Sequence, residues 1–146
     1  MEYRPEALTS LLACLKALAL QHHHAHVVSK GACSFSDHLL FERLYDITLE
    51  HVDSLSERIV GLDRYEIELP VLMVAMQDVI NTWAQYADKG YVRQSLEGEK
   101  TLLHMLEMVR QKLESKGLLT LGLEDLLGRL ASTHEEHCYL LKQRLS

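Results

Sequence analysis

The chain has 146 residues, enough to bury one hydrophobic core without a disulfide or a structural metal. Hydrophobic residues make up 47% of it but aromatic residues only 6%, and no segment alternates polar and apolar residues as a half-buried strand does. The formal net charge of −6 excludes a global electrostatic attraction to nucleic acid or to an anionic membrane. We therefore expect one all-α domain covering residues 1–146.

Apolar residues recur at helical spacing in four long segments and one short segment. The long segments run from about Pro5 to Val28, from Asp37 to about Val60, from about Ser95 to Lys116, and from the residue after Thr120 to Leu145; the short one follows Pro70 and reaches about Ala87. This order predicts a four-helix bundle with a short extra helix in the connection between the second and third long helices.

Capping residues predict where several of these helices begin and end. Pro5 lies in the first turn of the first helix, where its missing N–H is tolerated. Ser36 is expected to be the N-cap of the second helix, and Gly61 its end. Gly117 is the expected C-terminal glycine of the third long helix.

Cysteine usage and the first apolar run bear on the cellular location. Cys14, Cys33 and Cys138 form neither a CxxC pair nor an even set, so we expect reduced thiols in a cytoplasmic protein. The run from Ala7 to Leu20 has no basic segment before it, contains Lys16, and is too short to span a membrane. The sequence therefore predicts neither a secretion signal nor a membrane partner.

One face of the second helix carries side chains that could bind a metal ion. At about 100° per residue, His38, Glu42, Asp53 and Glu57 fall within about 100° of one another. One imidazole and three carboxylates suit a cation such as iron or manganese. A solvated polar face of an amphipathic helix is the alternative interpretation.

The axial spacing of these residues indicates a site shared between subunits. His38 and Asp53 are 15 residues apart, which is about 22 Å along a helix, so one ion cannot contact both in one chain. His38 and Glu42 form a pair near one end of the helix, and Asp53 and Glu57 form a pair near the other. If two copies of the helix pack antiparallel about a twofold axis, the first pair of each copy meets the second pair of its partner, which gives two equivalent sites per dimer. The intrachain motif of di-iron ferritins, Glu-x-x-His, does not occur in the sequence.

The segment from Ala25 to Val60 resembles, without a gap, the signature of the Dps family of ferritin-like proteins (DNA-binding proteins from starved cells). A histidine precedes the loop, a basic residue and glycine follow, and then come the histidine and acid of the second helix. The run H-x-D-x-x-x-E-R follows at 51–58, and the end of the chain, HEEHCYLLKQRL, is similar to the family's last helix.

This resemblance implies the fold, the metal ligands and the reaction. The implied ferroxidase ligands, which are also the metal ligands, are His26, His38, Glu42, Asp53 and Glu57. The implied function is oxidation of Fe(II), with hydrogen peroxide as the preferred oxidant, and storage of ferric mineral in a hollow homo-oligomeric shell of twelve subunits. Zinc or manganese could occupy the same site. A non-enzymatic shell or a partner-binding helical protein with a structural metal is the alternative function.

Two departures from the family pattern stand out. Val27 occupies the place of the tryptophan that usually follows the first ligand histidine, which puts radical interception there in doubt, and Trp83 is expected to be a packing residue. Family members that bind DNA usually do so through a lysine-rich tail. Only Met1–Arg4 precede the first helix, and the last helix runs almost to Ser146, so we expect no tight DNA binding.

Other histidines and acids remain candidates for secondary roles. His22, His23 and His24 could form an auxiliary metal site with His26, but we prefer the interpretation that only His26 binds metal and that the other three lie on the surface or at a subunit contact. Two further pairs are weaker candidates. His134 and His137 are interpreted as interface or hydrogen-bonding residues, and Glu124 and Asp125 as either helix-start acids or the lining of an iron-entry channel.

Overall fold

The computed structural model describes residues 6–63 and 67–146, which fold into five α-helices and, in these ranges, no strand. The helices are α1 (Glu6–Val28), α2 (Ser34–Asp63), α3 (Leu69–Ala84), α4 (Tyr91–Ser115) and α5 (Leu121–Leu145). The long helices α1, α2, α4 and α5 form the bundle, and α3 packs on α1 in the connection between α2 and α4. The predicted all-α four-helix architecture is confirmed. None of the helices described is both long enough and apolar enough to cross a bilayer.

Capping explains the ends that the sequence predicted correctly. The Thr120 hydroxyl accepts the N–H of Leu123 at 3.0 Å and begins α5. Gly117 has a φ of +68°, and the N–H of Leu118 donates to the carbonyl of Leu113 at 2.9 Å, which closes the end of α4. The predicted first-turn proline, Pro5, lies outside the described residues.

The predicted bounds of the second helix are wrong at both ends. α2 begins at Ser34, and Ser36 lies inside its first turn with its hydroxyl donating to the carbonyl of Cys33 at 3.1 Å. Gly61 lies within the helix, which runs on to Asp63. A single glycine costs a helix about 1 kcal/mol, which is too little to end it without a following change of backbone direction.

The bounds of the helices on either side of Gly90 also differ from the prediction. α3 ends at Ala84, and a 3₁₀ turn (Ala87–Lys89) follows it. Gly90 adopts a φ of +90°, which turns the chain so that α4 begins at Tyr91, four residues before the predicted Ser95.

The bundle holds two separate hydrophobic clusters along its axis. The larger cluster includes Leu18, Leu102 and Leu130, and the smaller includes Ala25 and Leu96. On α1 and α4 a short polar stretch separates the residues of one cluster from those of the other. Polar side chains buried at that level are therefore enclosed by apolar layers above and below.

Candidate metal centre

His26 at the end of α1 and His38 at the start of α2 form a reciprocal pair. Nδ1 of His26 lies 2.9 Å from the carbonyl oxygen of His38, and Nδ1 of His38 lies 3.0 Å from the carbonyl oxygen of His26. The two rings stack with centroids 3.7 Å apart and planes at 25°. The five-residue connection between α1 and α2 brings the two helix ends together in this way.

These two hydrogen bonds determine the tautomer of both rings. A carbonyl oxygen can only accept, so each Nδ1 carries the proton and donates it. Each Nε2 then keeps a free lone pair, which is the form of imidazole that binds a metal. Backbone carbonyls orient metal-binding histidines in proteins by the same kind of hydrogen bond.

Glu42 completes a three-residue cluster with this pair. It lies one turn after His38 on α2, and one ligand atom from each of His26, His38 and Glu42 lies within 4.8 Å of the others. His38 and Glu42 are exposed and His26 is half-buried. Two imidazoles and one carboxylate on an open surface form an incomplete coordination shell that can accept ligands from outside the chain.

Asp53 and Glu57 lie elsewhere on the same helix. α2 is continuous from Ser34 to Asp63, so Asp53 is about 22 Å from His38 along the axis. Both carboxylates are exposed and one turn apart. The structure therefore brings three of the five predicted ligands together within one chain and leaves the other two at the far end of the helix.

The neighbouring histidines of α1 have different surroundings. His23 and His24 are exposed as expected, and the His23 ring lies 4.8 Å from that of Tyr45. The expected surface position of His22 is wrong, because its side chain is fully buried and its Nε2 lies 2.8 Å from Glu99. Helical phase explains the difference, because His22 follows Leu18 and Leu15 on the core-facing side of α1.

The chain is similar to proteins of known fold over nearly its whole length. No family model matches it. A nutrient stress-induced DNA-binding protein from a Nostoc species is 27% identical over 146 residues, which cover 97% of this chain and 76% of that protein. A Dps protein from Vibrio cholerae, described as a member of a broad superfamily of ferritin-like diiron-carboxylate proteins, matches with a TM-score of 0.80 at 22% identity over 97% of this chain and 88% of that one. Dps from Thermosynechococcus elongatus matches with a TM-score of 0.75 at 22% identity, covering 97% and 90% of the two chains.

The chain is similar to Dps proteins in sequence and in fold. The predicted resemblance to the Dps family and the predicted ferritin-like fold are thus confirmed. At the position that usually holds the Dps tryptophan, Val27 is 64% exposed beside the candidate centre. Trp83 is a packing residue as predicted: it is buried under α4, and its indole N–H donates to the Thr101 hydroxyl at 3.2 Å.

Proposed function

We propose that this chain is a ferroxidase subunit of a Dps-type iron-storage shell. Each oxidation site would combine His26, His38 and Glu42 of one chain with Asp53 and Glu57 of a twofold-related chain. The observation that carries the proposal is the reciprocal His26–His38 pair, because it leaves two metal-binding nitrogens free on an exposed surface beside a carboxylate.

The position of the second pair supports a site shared between chains. Asp53 and Glu57 are exposed, carry no ion pair with any residue described, and lie about 22 Å and about 28 Å from His38 along a continuous helix. An antiparallel partner helix would place these carboxylates opposite the histidine end. Twofold symmetry then repeats the arrangement, so that each dimer holds two sites.

The chemistry of the donor set fits Fe(II) as substrate. Two neutral imidazoles and three carboxylates stabilise both the ferrous and the ferric ion, and positions remain open for the oxidant. Two Fe(II) ions give one electron each to one molecule of hydrogen peroxide, whose O–O bond breaks. With two further water molecules, the products are two ferric oxyhydroxide units and four protons. The surrounding acids would accept those protons and hold the ferric product.

Storage would follow from assembly into a closed shell, with twelve copies as the expected number. Each chain carries a net charge of −6, so a closed shell of many copies attracts cations electrostatically. Light scattering of the dilute protein should give a mass near that of twelve chains. A monomeric mass would exclude the shared site.

The direct test is the rate of Fe(II) oxidation after addition of hydrogen peroxide, followed by ferric absorbance. Asp53→Ala/Glu57→Ala should slow the reaction about tenfold or more, as expected for loss of metal ligands, with unchanged helical content. The control Glu107→Ala/Glu114→Ala removes two exposed carboxylates from α4 and should leave the rate unchanged. Equal rates for the two double variants would show that Asp53 and Glu57 are solvated surface residues and not metal ligands. If wild-type protein oxidises Fe(II) no faster than buffer, the non-enzymatic alternative is favoured.

A further inference from the structure

A second cluster of metal-binding side chains lies inside the bundle, away from the proposed surface centre. It consists of Glu99 on α4, His22 on α1, and His134 and His137 on α5, and we call it the Glu99 cluster. None of these four residues is more than 1% exposed. They come from three different helices, so only the folded bundle brings them together.

Glu99 is the common partner of the three imidazoles. His22 Nε2 lies 2.8 Å and His137 Nδ1 3.0 Å from its Oε1, and His134 Nδ1 lies 2.6 Å from its Oε2. A carboxylate only accepts, so each histidine donates one N–H. Burial opposes ionisation of Glu99, but the hydrogen bonds from His134, His137 and His22 outweigh it and hold its pKa well below its usual range. Burial also lowers the pKa of His22.

Among the described residues, the buried carboxylate of Glu99 has no arginine or lysine as its partner. Within the described ranges no arginine or lysine forms an ion pair with Glu99, and its salt-bridge partners are all histidines. On α1 and α4, Glu99 and His22 separate the two hydrophobic clusters, because Leu18 and Leu102 belong to one cluster and Ala25 and Leu96 to the other. A buried carboxylate in such a place usually has a cation or a metal as its partner.

Several polar atoms of the cluster lack the partners that buried polar atoms normally have. Nδ1 of His22 and Nε2 of His137 form no hydrogen bond within the described chain, and neither does the hydroxyl of Ser95, one turn before Glu99 on α4. In the tautomers that donate to Glu99, Nδ1 of His22 and Nε2 of His137 each carry a lone pair and no proton. Buried polar groups without partners are rare, and these two lone pairs can take up the ring protons if the nitrogens that face Glu99 bind a metal.

The spacing of the donor atoms suits a small divalent ion. One ligand atom from each of His22, Glu99 and His137 lies within 4.8 Å of the others. Metal–ligand bonds of about 2.0–2.1 Å in a tetrahedral site place ligands about 3.3 Å apart, close to the separations seen here. His134 lies outside this group, and its N–H to the other carboxylate oxygen holds the Glu99 side chain in place.

A series of hydrogen bonds connects the cluster to a half-buried histidine of α2. Nδ1 of His51 on α2 lies 2.9 Å from Nε2 of His134, and His51 is only half-buried. Since Nδ1 of His134 donates to Glu99, its Nε2 accepts, and His51 is the donor. The hydrogen-bonded series from His51 through His134 to Glu99 therefore joins the surface of α2 to the centre of the bundle.

We infer that the Glu99 cluster is an intrachain binding site for a borderline divalent transition-metal ion such as Zn(II), with His22, Glu99 and His137 as its protein ligands. Two imidazoles and one carboxylate, with water in the fourth position, are a donor set that such ions accept. When the ion binds, His22 and His137 present the nitrogens that now face Glu99, and their protons move to the other ring nitrogens, so no net proton is lost from the rings. This inference is independent of the proposed ferroxidase function.

The test uses Co(II), whose visible spectrum distinguishes four-coordinate from six-coordinate ions. His26→Ala/His38→Ala removes the surface centre, and that full-length chain is stripped of metal with a chelator. Co(II) is then added either to the folded protein or during refolding, because the cluster is buried. We expect one four-coordinate Co(II) per chain that is displaced by Zn(II) and lost only slowly to added chelator.

Ligand variants in the same background identify the site. Glu99→Gln should weaken Co(II) binding at least about 100-fold, whereas Glu107→Gln, an exposed glutamate of the same helix, should not change it. His137→Gln provides a second variant if Glu99→Gln does not fold, as judged by circular dichroism. Unchanged affinity in a folded ligand variant would overturn the inference. So would a background chain that binds no four-coordinate Co(II) by either route, and this last result decides the matter even if neither ligand variant folds.

Discussion

Replacing His26 and His38 by Ala in one copy of the chain, and Asp53 and Glu57 by Ala in a second copy, separates the two halves of the proposed shared site. Each variant alone lacks part of every site and should be inactive. Because α2 is continuous and about 22 Å separates His38 from Asp53, no rearrangement within a chain can replace the missing ligands.

Co-expression of the two variants in equal amounts gives a defined recovery. With random pairing about half of the twofold dimers contain one copy of each variant. In every mixed dimer one site lacks all four replaced ligands, and the other site has every ligand intact. Activity should therefore return to about a quarter of the wild-type rate per chain.

The assay is the initial rate of Fe(II) oxidation with hydrogen peroxide, with mixing confirmed by mass spectrometry of intact assemblies. A matched control co-expresses His26→Ala/His38→Ala with a chain in which all four positions are replaced. These mixed dimers contain no intact site and should stay inactive. Mixed assemblies of the first kind that are as inactive as the controls would refute the shared site, even if the protein binds iron.

Two further predictions concern packing and thiol chemistry. A Cβ at Gly98 would lie 2.8 Å from Cδ1 of the buried Leu18, so Gly98→Ala should lower the free energy of unfolding by about 1–3 kcal/mol, measured by chemical denaturation. Gly128→Ala, where a Cβ meets nothing within 4 Å, should instead raise it by about 0.5–1 kcal/mol because alanine favours a helix. A loss at both positions would show that a cause other than overpacking against Leu18 controls the effect. Burial raises the pKa of Cys14 to about 12, so its thiol should be unreactive in the native protein. At pH 8 an aromatic disulfide reagent should label the exposed Cys33 rapidly and leave Cys14 unmodified until the protein is denatured. Rapid labelling of Cys14 in the native protein would contradict its burial.

The sequence predicted the bundle and the polar face of α2 because both depend on helical periodicity alone. The repeat of 3.6 residues places His38 and Glu42 one turn apart whatever surrounds the helix. The reciprocal bonding of His26 and His38 could not be predicted in this way, since it depends on how the connection after α1 returns the chain. The end of α2 was misplaced at Gly61 because a glycine is a common helix end but not a sufficient one.

The partners of Glu99 could not be found by searching the sequence for a motif. Glu99 does not belong to a Glu-x-x-His motif, and its partners lie 77, 35 and 38 residues away in sequence. One signal was present: Glu99 follows Leu96 by three residues and precedes Leu102 by three, so it occupies the apolar stripe of α4. A carboxylate at a core position predicts a buried partner even where the partner cannot be named from sequence.

The most direct test of the central claim is the anomalous scattering of crystals of the assembled protein soaked anaerobically with Fe(II), recorded at the iron edge. The account predicts a peak on the twofold interface within bonding distance of Nε2 of His26, Nε2 of His38 and the Glu42 carboxylate of one chain, with carboxylate ligands from Asp53 and Glu57 of a second chain. A peak whose protein ligands all come from a single chain, or the lack of a peak at His26 and His38, would contradict it.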